Sequence, residues 1–243
     1  MANPTAAMLV IDDEILSGRT RDANLHHLSG RLTEVGIDLK EARVVSDDPE
    51  AIVHAVNDLR AQVDHVFTSG GIGPTHDDIT ADCVARAFGQ PIDVRDDARA
   101  ILQSHYDRQG LQMNEARLRM ARIPEGAGLI ENPVSAAPGF SIGNVHVMAG
   151  IPTIFNAMLE AVLPQLTGGD PLLSETVRVS RGEGDIAGPL GDLAERYPDL
   201  SFGSYPFQKD GVFGANVVIR GTSSDRLVEA KDKLLALFPG DAS

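Results

Sequence analysis

The feature that most constrains this chain is an alternation in its first 90 residues. Three short apolar runs, AAMLVID (6–12), EARVVS (41–46) and DHVFTS (64–69), are separated by stretches with helical spacing. The runs read as buried strands. In NLHHLSGRLTEVG, Leu25, Leu28, Leu32 and Val35 recur on one helical face, and Gly36 supplies a stop. In DDPEAIVHAVNDLRA, Asp48 is placed to cap a helix and Pro49 to occupy its first position, with Ile52, Val53, Val56 and Leu59 on the apolar face. Strands alternating with helices predict βαβ units and a parallel sheet covered on both sides. In such a sheet, ligands sit beyond the carboxyl ends of the strands.

The pattern continues less regularly. DDITADCVARAFG (77–89) predicts a helix with Asp78 as its cap and a stop near Gly89. Residues 95–121 read as helical. PGFSIGNVHVMAG (138–150) predicts a hairpin turning at Gly143–Asn144, and Pro152 opens a further helix. Gly, Asp and Pro crowd 168–171, which marks a boundary. The expected organisation is thus a domain over 1–169 and a small α+β module over 170–243. Within the module, SETVRVSR, FGSYPFQ and GANVVIRG read as strands. A short helix is interrupted or started near Pro189, and a final amphipathic helix has Ser224 or Asp225 near its cap.

Charge narrows the function. The 243 residues carry a formal net charge of -14, which argues against nucleic-acid binding through a general basic surface. The same charge means that a phosphate ligand needs local help from backbone N–H groups, a helix start or a metal ion. One cysteine, Cys83, excludes an internal disulfide framework, and Met1 onward lacks the basic region of a signal peptide. No stretch approaches the ~20 apolar residues of a bilayer span. A cytoplasmic protein without membrane contact is expected.

Three loops carry candidate chemistry. TSGGIGPTHDDIT (68–80) sets Gly70, Gly71 and Gly73 between a strand and a helix, where bare backbone amides can cradle an oxyanion; a tight turn would read the same way. It is neither the GxGxxG fingerprint nor a P-loop, since no lysine follows. Asp77 and Asp78 add two carboxylates. One suits a cap, the other a hard divalent cation. DDEILSGRTRDAN (12–24) is a second acidic loop, with Arg19 as a cation able to pair a phosphate or simply to meet solvent. ENPVSAAPGF (131–140) is a turn-rich third loop of small residues, able to wall a flat ring. The seven histidines show no metal spacing, and only His76 falls in this region.

Taken in order, DDEILSGRTRDAN, VVSDDPEAI, TSGGIGPTHDDIT, NPVSAAPGF and MAGIPTIFNAML resemble the MoaB/Mog-like molybdopterin-binding domain family, most closely the N-terminal part of CinA-type competence/damage-inducible proteins. FGSYPFQ and VVIRG resemble the small KH-like module that follows this domain there. The resemblance implies a three-layer α/β/α domain with a phosphorylated pterin or nucleotide site at the strand ends. It implies metal-dependent hydrolysis of a nucleotide pyrophosphate bond, in ADP-ribose or FAD, or else molybdopterin binding without hydrolysis. The implied cofactor is a divalent cation (Mg²⁺, Mn²⁺, Co²⁺ or Ni²⁺), with K⁺ as an accessory, and the implied assembly a homodimer or homotrimer. Carried over by motif, Asp77, Glu14 and Asp13 are the implied catalytic residues, with Asp77 on the metal. The implied ligand-binding residues in the first loop are Ser17, Gly18, Asp22 and Asn24. In the second they are Ser69, Gly70, Gly71, Gly73, Pro74, Thr75, Asp78 and Thr80, and in the third Asn132, Pro138 and Gly139. Two departures stand out. Asp12 replaces a family glycine, bringing a side chain where close approach is expected, and Ala136 replaces a threonine.

Overall fold

In the computed structural model, which describes residues 2–209 and 211–242, the chain divides into two compact units between Gly169 and Asp170. The first unit is built on a six-stranded sheet of order β2-β1-β3-β8-β7-β6. These strands are β1 (Thr5–Ile11), β2 (Asp38–Val45), β3 (His65–Ser69), β6 (Gly128–Ile130), β7 (Gly139–Ile142) and β8 (Val145–Met148). β2, β1, β3 and β8 pair in parallel; β7 pairs antiparallel with both β8 and β6. The hairpin turns at Gly143–Asn144, as the sequence predicts. A separate antiparallel pair joins β4 (Ile92–Val94) to β5 (Arg122–Pro124).

β1 shows why the sheet is a middle layer. Ala7, Leu9 and Ile11 point into one core, with Ile52, Val56 and Leu59 of α3 (Pro49–Gln62), Val84 of α4 (Thr80–Phe88) and Leu102 of α5 (Asp96–Arg108). Ala6, Met8 and Val10 point into the other, with Leu28 and Leu32 of α2 (Asn24–Glu34) and Phe155, Met158 and Leu159 of α7 (Pro152–Val162). A period-two strand with both faces buried must be apolar throughout, which is what AAMLVI is. Each buried Leu, Ile or Phe contributes about 1.5–3 kcal/mol relative to exposure. Helix ends follow local rules where those suffice. The Asp48 side chain accepts the Ala51 N–H ahead of Pro49, and Gly89 closes α4 in the left-handed region at φ 63°.

The expected helix over 95–121 is two helices. α5 ends at Arg108, Gly110 turns at φ 68°, and Asn114 restarts the chain by capping α6 (Glu115–Arg119). A short α1 (Asp13–Leu16) follows β1.

The second unit runs β9 (Leu173–Val179), α8 (Glu183–Arg196), β10 (Ser201–Lys209), β11 (Val212–Gly221) and α9 (Ser224–Leu237). Its sheet has the order β10-β11-β9, all antiparallel, over a core of Val177, Val217, Ile219, Leu193, Leu234 and Phe238. α8 is not broken at Pro189. The ring withholds one N–H, but Ile186, Leu190 and Leu193 on either side are buried and hold the helix through it. The cap of α9 is Ser223, one residue earlier than expected. A GxxG sequence exists, Gly188 to Gly191, but it lies inside α8 and not in a loop between two helices.

Candidate functional site

The loop after β3 is shaped by what its glycines avoid. Gly70 sits at φ 106°, and a Cβ there would lie 2.3 Å from the Ile11 carbonyl oxygen at the end of β1. Gly71 sits at φ 67°, where a Cβ would lie 2.1 Å from the Thr80 hydroxyl. Thr80 closes the loop from behind, its N–H donating to the Gly71 carbonyl at 2.9 Å. Among the described residues, the amides of Gly71, Ile72 and Gly73 meet no carbonyl or carboxylate of the protein. Consecutive unpaired amides of this kind form an anion-accepting concavity.

Several residues assigned to the ligand by motif are instead the frame of this loop. Asn24 is buried, and its amide donates to the Ser69 hydroxyl and the Gly150 carbonyl, both at 2.7 Å. It ties the start of α2 to the ends of β3 and β8. Thr80 and Ser69 are equally buried. Asp78 does not cap α4, whose N-cap is Ile79 with no side-chain bond. Its carboxylate folds back to accept from the Thr75 amide at 2.7 Å and the Thr75 hydroxyl at 2.5 Å, fixing the turn that presents Asp77. Asp77 is exposed, and His76 beside it is almost wholly in solvent.

The first loop behaves similarly. Asp12 is in extended backbone, so position 12 needs no glycine, and its carboxylate caps α1 by accepting from Glu14 and Ile15 N–H at 2.6 and 3.0 Å. The Ser17 hydroxyl donates to the Glu14 carbonyl at 3.1 Å, Gly18 turns out of α1 at φ 74°, and Asp22 accepts from the Leu25 amide at 2.9 Å. None of these three lines the cleft below. Glu14 does, with its carboxylate accepting from the Thr20 hydroxyl at 3.2 Å.

One residue that lines the cleft was not foreseen: Asp47. Parallel pairing aligns Ile11 with Val45, so the turns after β1 and β2 lie side by side. The Asp13 amide then donates to the Asp47 carboxylate at 3.1 Å, and the Asp47 amide to the Asp13 carboxylate at 3.4 Å. Burial raises the Asp47 carboxyl above its ordinary range, and the negative charges of Asp13, Asp12 and Asp77 add to it. VVSDD could have signalled this only if read as the end of a strand neighbouring β1.

Together these loops bound an open cleft of about 800 Å³ at the carboxyl ends of the strands. Six carboxylates line it: Asp12, Asp13, Glu14, Asp47, Asp77 and Asp78. Among the described residues, no Lys, Arg or His does. Gly70, Gly71, Gly73, Pro74, Thr75, Gly150 and Pro152 also face it. Arg119 donates to the Asp78 carbonyl at 3.3 Å and, with Arg122, lines an adjoining pocket that shares Gly71, Gly73 and Asp78, and Arg19 lies 3.5 Å from Glu14. The oxygen donors suit a hard divalent cation. Among the described residues, no three His, Cys, Asp or Glu side chains are grouped to hold one unaided. That fits a cation completed by ligand phosphates and water, as Mg²⁺ commonly is.

The third loop contributes through its frame. Asn132 lines the cleft but is saturated: its amide donates to Ser135 Oγ and the Ala137 carbonyl, and its oxygen accepts from the Val134 and Ser135 amides. Ala136 holds φ 62°, an unusual value for a residue with a Cβ. Pro138 lies outside the cleft, and Gly139 is required by the sheet, since a Cβ there would lie 2.4 Å from the Val147 carbonyl.

Comparison with known proteins accounts for both units. Residues 7–168 match the family described as "Probable molybdopterin binding domain", and residues 171–243 match the "FAD synthase, middle domain". A CinA-like protein of Citrifermentans bemidjiense is 39% identical over 167 residues, covering 67% of this chain and 40% of the relative. A protein of Archaeoglobus fulgidus is 32% identical over 200 residues, covering 82% and 84%. A probable FAD synthase of Caenorhabditis elegans is 32% identical over 260 residues, covering 97% of this chain but 50% of the relative. The chain therefore spans about half or less of the CinA-like and FAD synthase relatives. The crystal structure of CinA from Thermoplasma acidophilum, a protein of unknown function, aligns with a TM-score of 0.62 at 33% identity, over 68% of this chain and 99% of that one. A strand-end cleft between glycine and carboxylate loops, on a three-layer sheet with these relatives, makes this chain a member of the MoaB/Mog-like molybdopterin-binding domain family, in its CinA-like branch.

Proposed function

We propose that the cleft binds a phosphorylated nucleotide with a divalent cation and hydrolyses its pyrophosphate bond, ADP-ribose and FAD being the candidate substrates. One observation carries this: three unpaired loop amides stand beside six carboxylates, with no basic side chain in the cleft. Arg119 and Arg122 stand with Gly71, Gly73 and Asp78 in an adjoining pocket and Arg19 pairs with Glu14, but the carboxylates outnumber them, so a diphosphate would enter more favourably with its own cation. Asp77 and Asp13 hold that cation, with Glu14 at the rim. When bound, the cation neutralises phosphate oxygens and makes a coordinated water more acidic. The amides of Gly71 to Gly73 donate to a non-bridging phosphate oxygen and stabilise the charge that develops on it. Water adds to phosphorus, the P–O–P bond breaks, the leaving monophosphate keeps the bond electrons, and a cleft carboxylate takes the proton.

The test is product release from ADP-ribose, FAD, NAD and ATP, with and without Mg²⁺, Mn²⁺, Co²⁺ or Ni²⁺, with K⁺ present, for wild type and Asp77→Asn. Metal-dependent cleavage lost in the variant supports the reading. A second reading, molybdopterin binding without hydrolysis, is supported by the match of residues 7–168 to the family described as "Probable molybdopterin binding domain". It predicts no turnover of any substrate, with pterin binding that Gly71→Asp removes.

A further inference from the structure

The proposed chemistry uses only part of the cleft. Its carboxylates come from the turns after β1, β2 and β3, at one side of the sheet. The remaining wall is different in kind: Tyr106 near the end of α5, Met120 just after α6, and Ser135 and Ala137 in the loop between β6 and β7. No charged side chain lines that part. β7 and β6 lie two and three strands from β3, so their shared loop is roughly 10–14 Å from the carboxylate end. That matches the reach of a nucleoside diphosphate from its phosphates to its base.

Tyr106 is half-buried at the edge of the first core and faces the cleft. The Arg117 guanidinium stacks over its ring, 4.5 Å from the centroid. Arg117 is itself fixed: its guanidinium donates to the Gln112 carbonyl, and its amide to the Asn114 side chain at 2.9 Å. The break between α5 and α6 exists to make this arrangement, since a continuous helix would not return Arg117 onto Tyr106. No protein group among the described residues bonds the Tyr106 hydroxyl, which a merely packed tyrosine usually has. Besides the Arg117 guanidinium, the His105 ring meets Tyr106 edge-on with centroids 5.5 Å apart, and the part of the ring that lines the cleft is a stacking platform for another flat ring. Ser135 Oγ accepts from Asn132 at 2.7 Å, so its proton is left to reach a ring edge.

We infer that Tyr106 stacks against the base of the ligand, so that the cleft selects a nucleoside diphosphate moiety over a bare pyrophosphate. This rests on the nucleotide reading of the same cleft, but binding tests it without turnover. Calorimetry with Mg²⁺ compares ADP with inorganic pyrophosphate on wild type, Tyr106→Leu and Tyr106→Phe. The expected result is a ten- to hundred-fold loss of ADP affinity in Tyr106→Leu, pyrophosphate within two-fold, and near-native binding of both in Tyr106→Phe. Tyr106→Trp supplies a second readout, because the chain has no tryptophan. Its fluorescence should be quenched by ADP and not by pyrophosphate. Unchanged ADP binding in Tyr106→Leu, equal loss of both ligands, or wild type that binds neither overturns the inference. ADP binding that depends on Tyr106 without any hydrolysis sinks the pyrophosphatase and leaves the stacking site standing. Hydrolysis indifferent to Tyr106 does the reverse.

Discussion

The cleft and the C-terminal module treat charge differently. In the module several acids have cationic partners: Asp199 and Glu229 pair with Arg226, Glu175 with Lys231, and Asp241 with Arg181. Its sheet sets Arg178 4.0 Å over Phe207 and bonds Arg220 to the Tyr205 hydroxyl at 2.9 Å. In the N-terminal cleft, Asp12, Asp13, Asp47 and Asp78 have no basic partner, Asp77 has only His76 at 3.9 Å, and Glu14 only Arg19 at 3.5 Å. Paired surface charges add little to stability and unpaired like charges subtract from it. The cleft's acids are held mainly by backbone amides and hydroxyls rather than by cations, so a bound cation would lower their mutual repulsion.

The largest effect should come from Asp77→Asn. Metal-dependent turnover is expected to fall by about 10²-fold or more with little change in the melting curve, because the side chain is exposed and its interactions are with its immediate neighbours Thr75 and His76. Retained activity would break the contrast outright.

Gly71→Ala comes next. The added Cβ meets Thr80 at a backbone angle that disfavours side chains, so about 1–3 kcal/mol of stability should go, with a melting temperature roughly 2–12 °C lower and weakened ligand binding. Gly188→Ala in α8, where a Cβ meets nothing within 4 Å, should not lower it.

An acid-side measurement tests the sheet beneath the cleft. Burial pushes the His146 imidazole from 6.5 down to about 4, where it shares a hydrogen bond with Ser141 Oγ at 2.9 Å. The folded state thus holds a neutral ring whose protonation favours unfolding. Its contribution is complete above the ordinary imidazole value and is lost as pH falls toward about 4. The melting temperature should fall more steeply across that window in wild type than in His146→Gln.

Asp47→Asn sharpens the comparison from the other side. Since the Asp47 carboxyl is raised, its ionised form is the destabilising one, and the penalty appears as pH rises through its folded value. The variant should melt about 2 °C higher at neutral pH, lose that advantage in acid, and hydrolyse more slowly. Arg226→Ala, which breaks two surface pairs in the module, should move melting by no more than about 2 °C and leave ligand binding unchanged.

Much of this was legible in local sequence. β1, the Asp48 cap with Pro49, the Gly89 stop and the hairpin at Gly143–Asn144 each depend on a few adjacent residues, so their chemistry travels with the sequence. The site was legible in outline. Asp13, Glu14, Asp77 and the glycines do face one cleft, whereas Ser17, Gly18, Asp22, Pro138 and Gly139 do not. Asn24 and Asn132 looked like ligand contacts because polar residues in motifs invite that reading. All of the Asn132 hydrogen bonds and both donors of Asn24 turn out to be committed to the frame, while Asn24 Oδ1 is buried without a partner among the described residues. Asp78 misled for the same reason, since a carboxylate before a helix resembles a cap until Thr75 claims it.

The sequence alone determined a parallel sheet with buried strands, a glycine loop able to admit an anion, and an acidic balance that leaves a phosphate ligand in need of local help. These follow from side-chain period and from what glycine and carboxylate permit. Only the tertiary structure decided that Asp47 meets Asp13, residues 34 apart in the chain, and that Arg117 returns to cover Tyr106. Strand register and a helix break fix those meetings. Neither distance is encoded in the residues that meet, but in the packing of the elements between them.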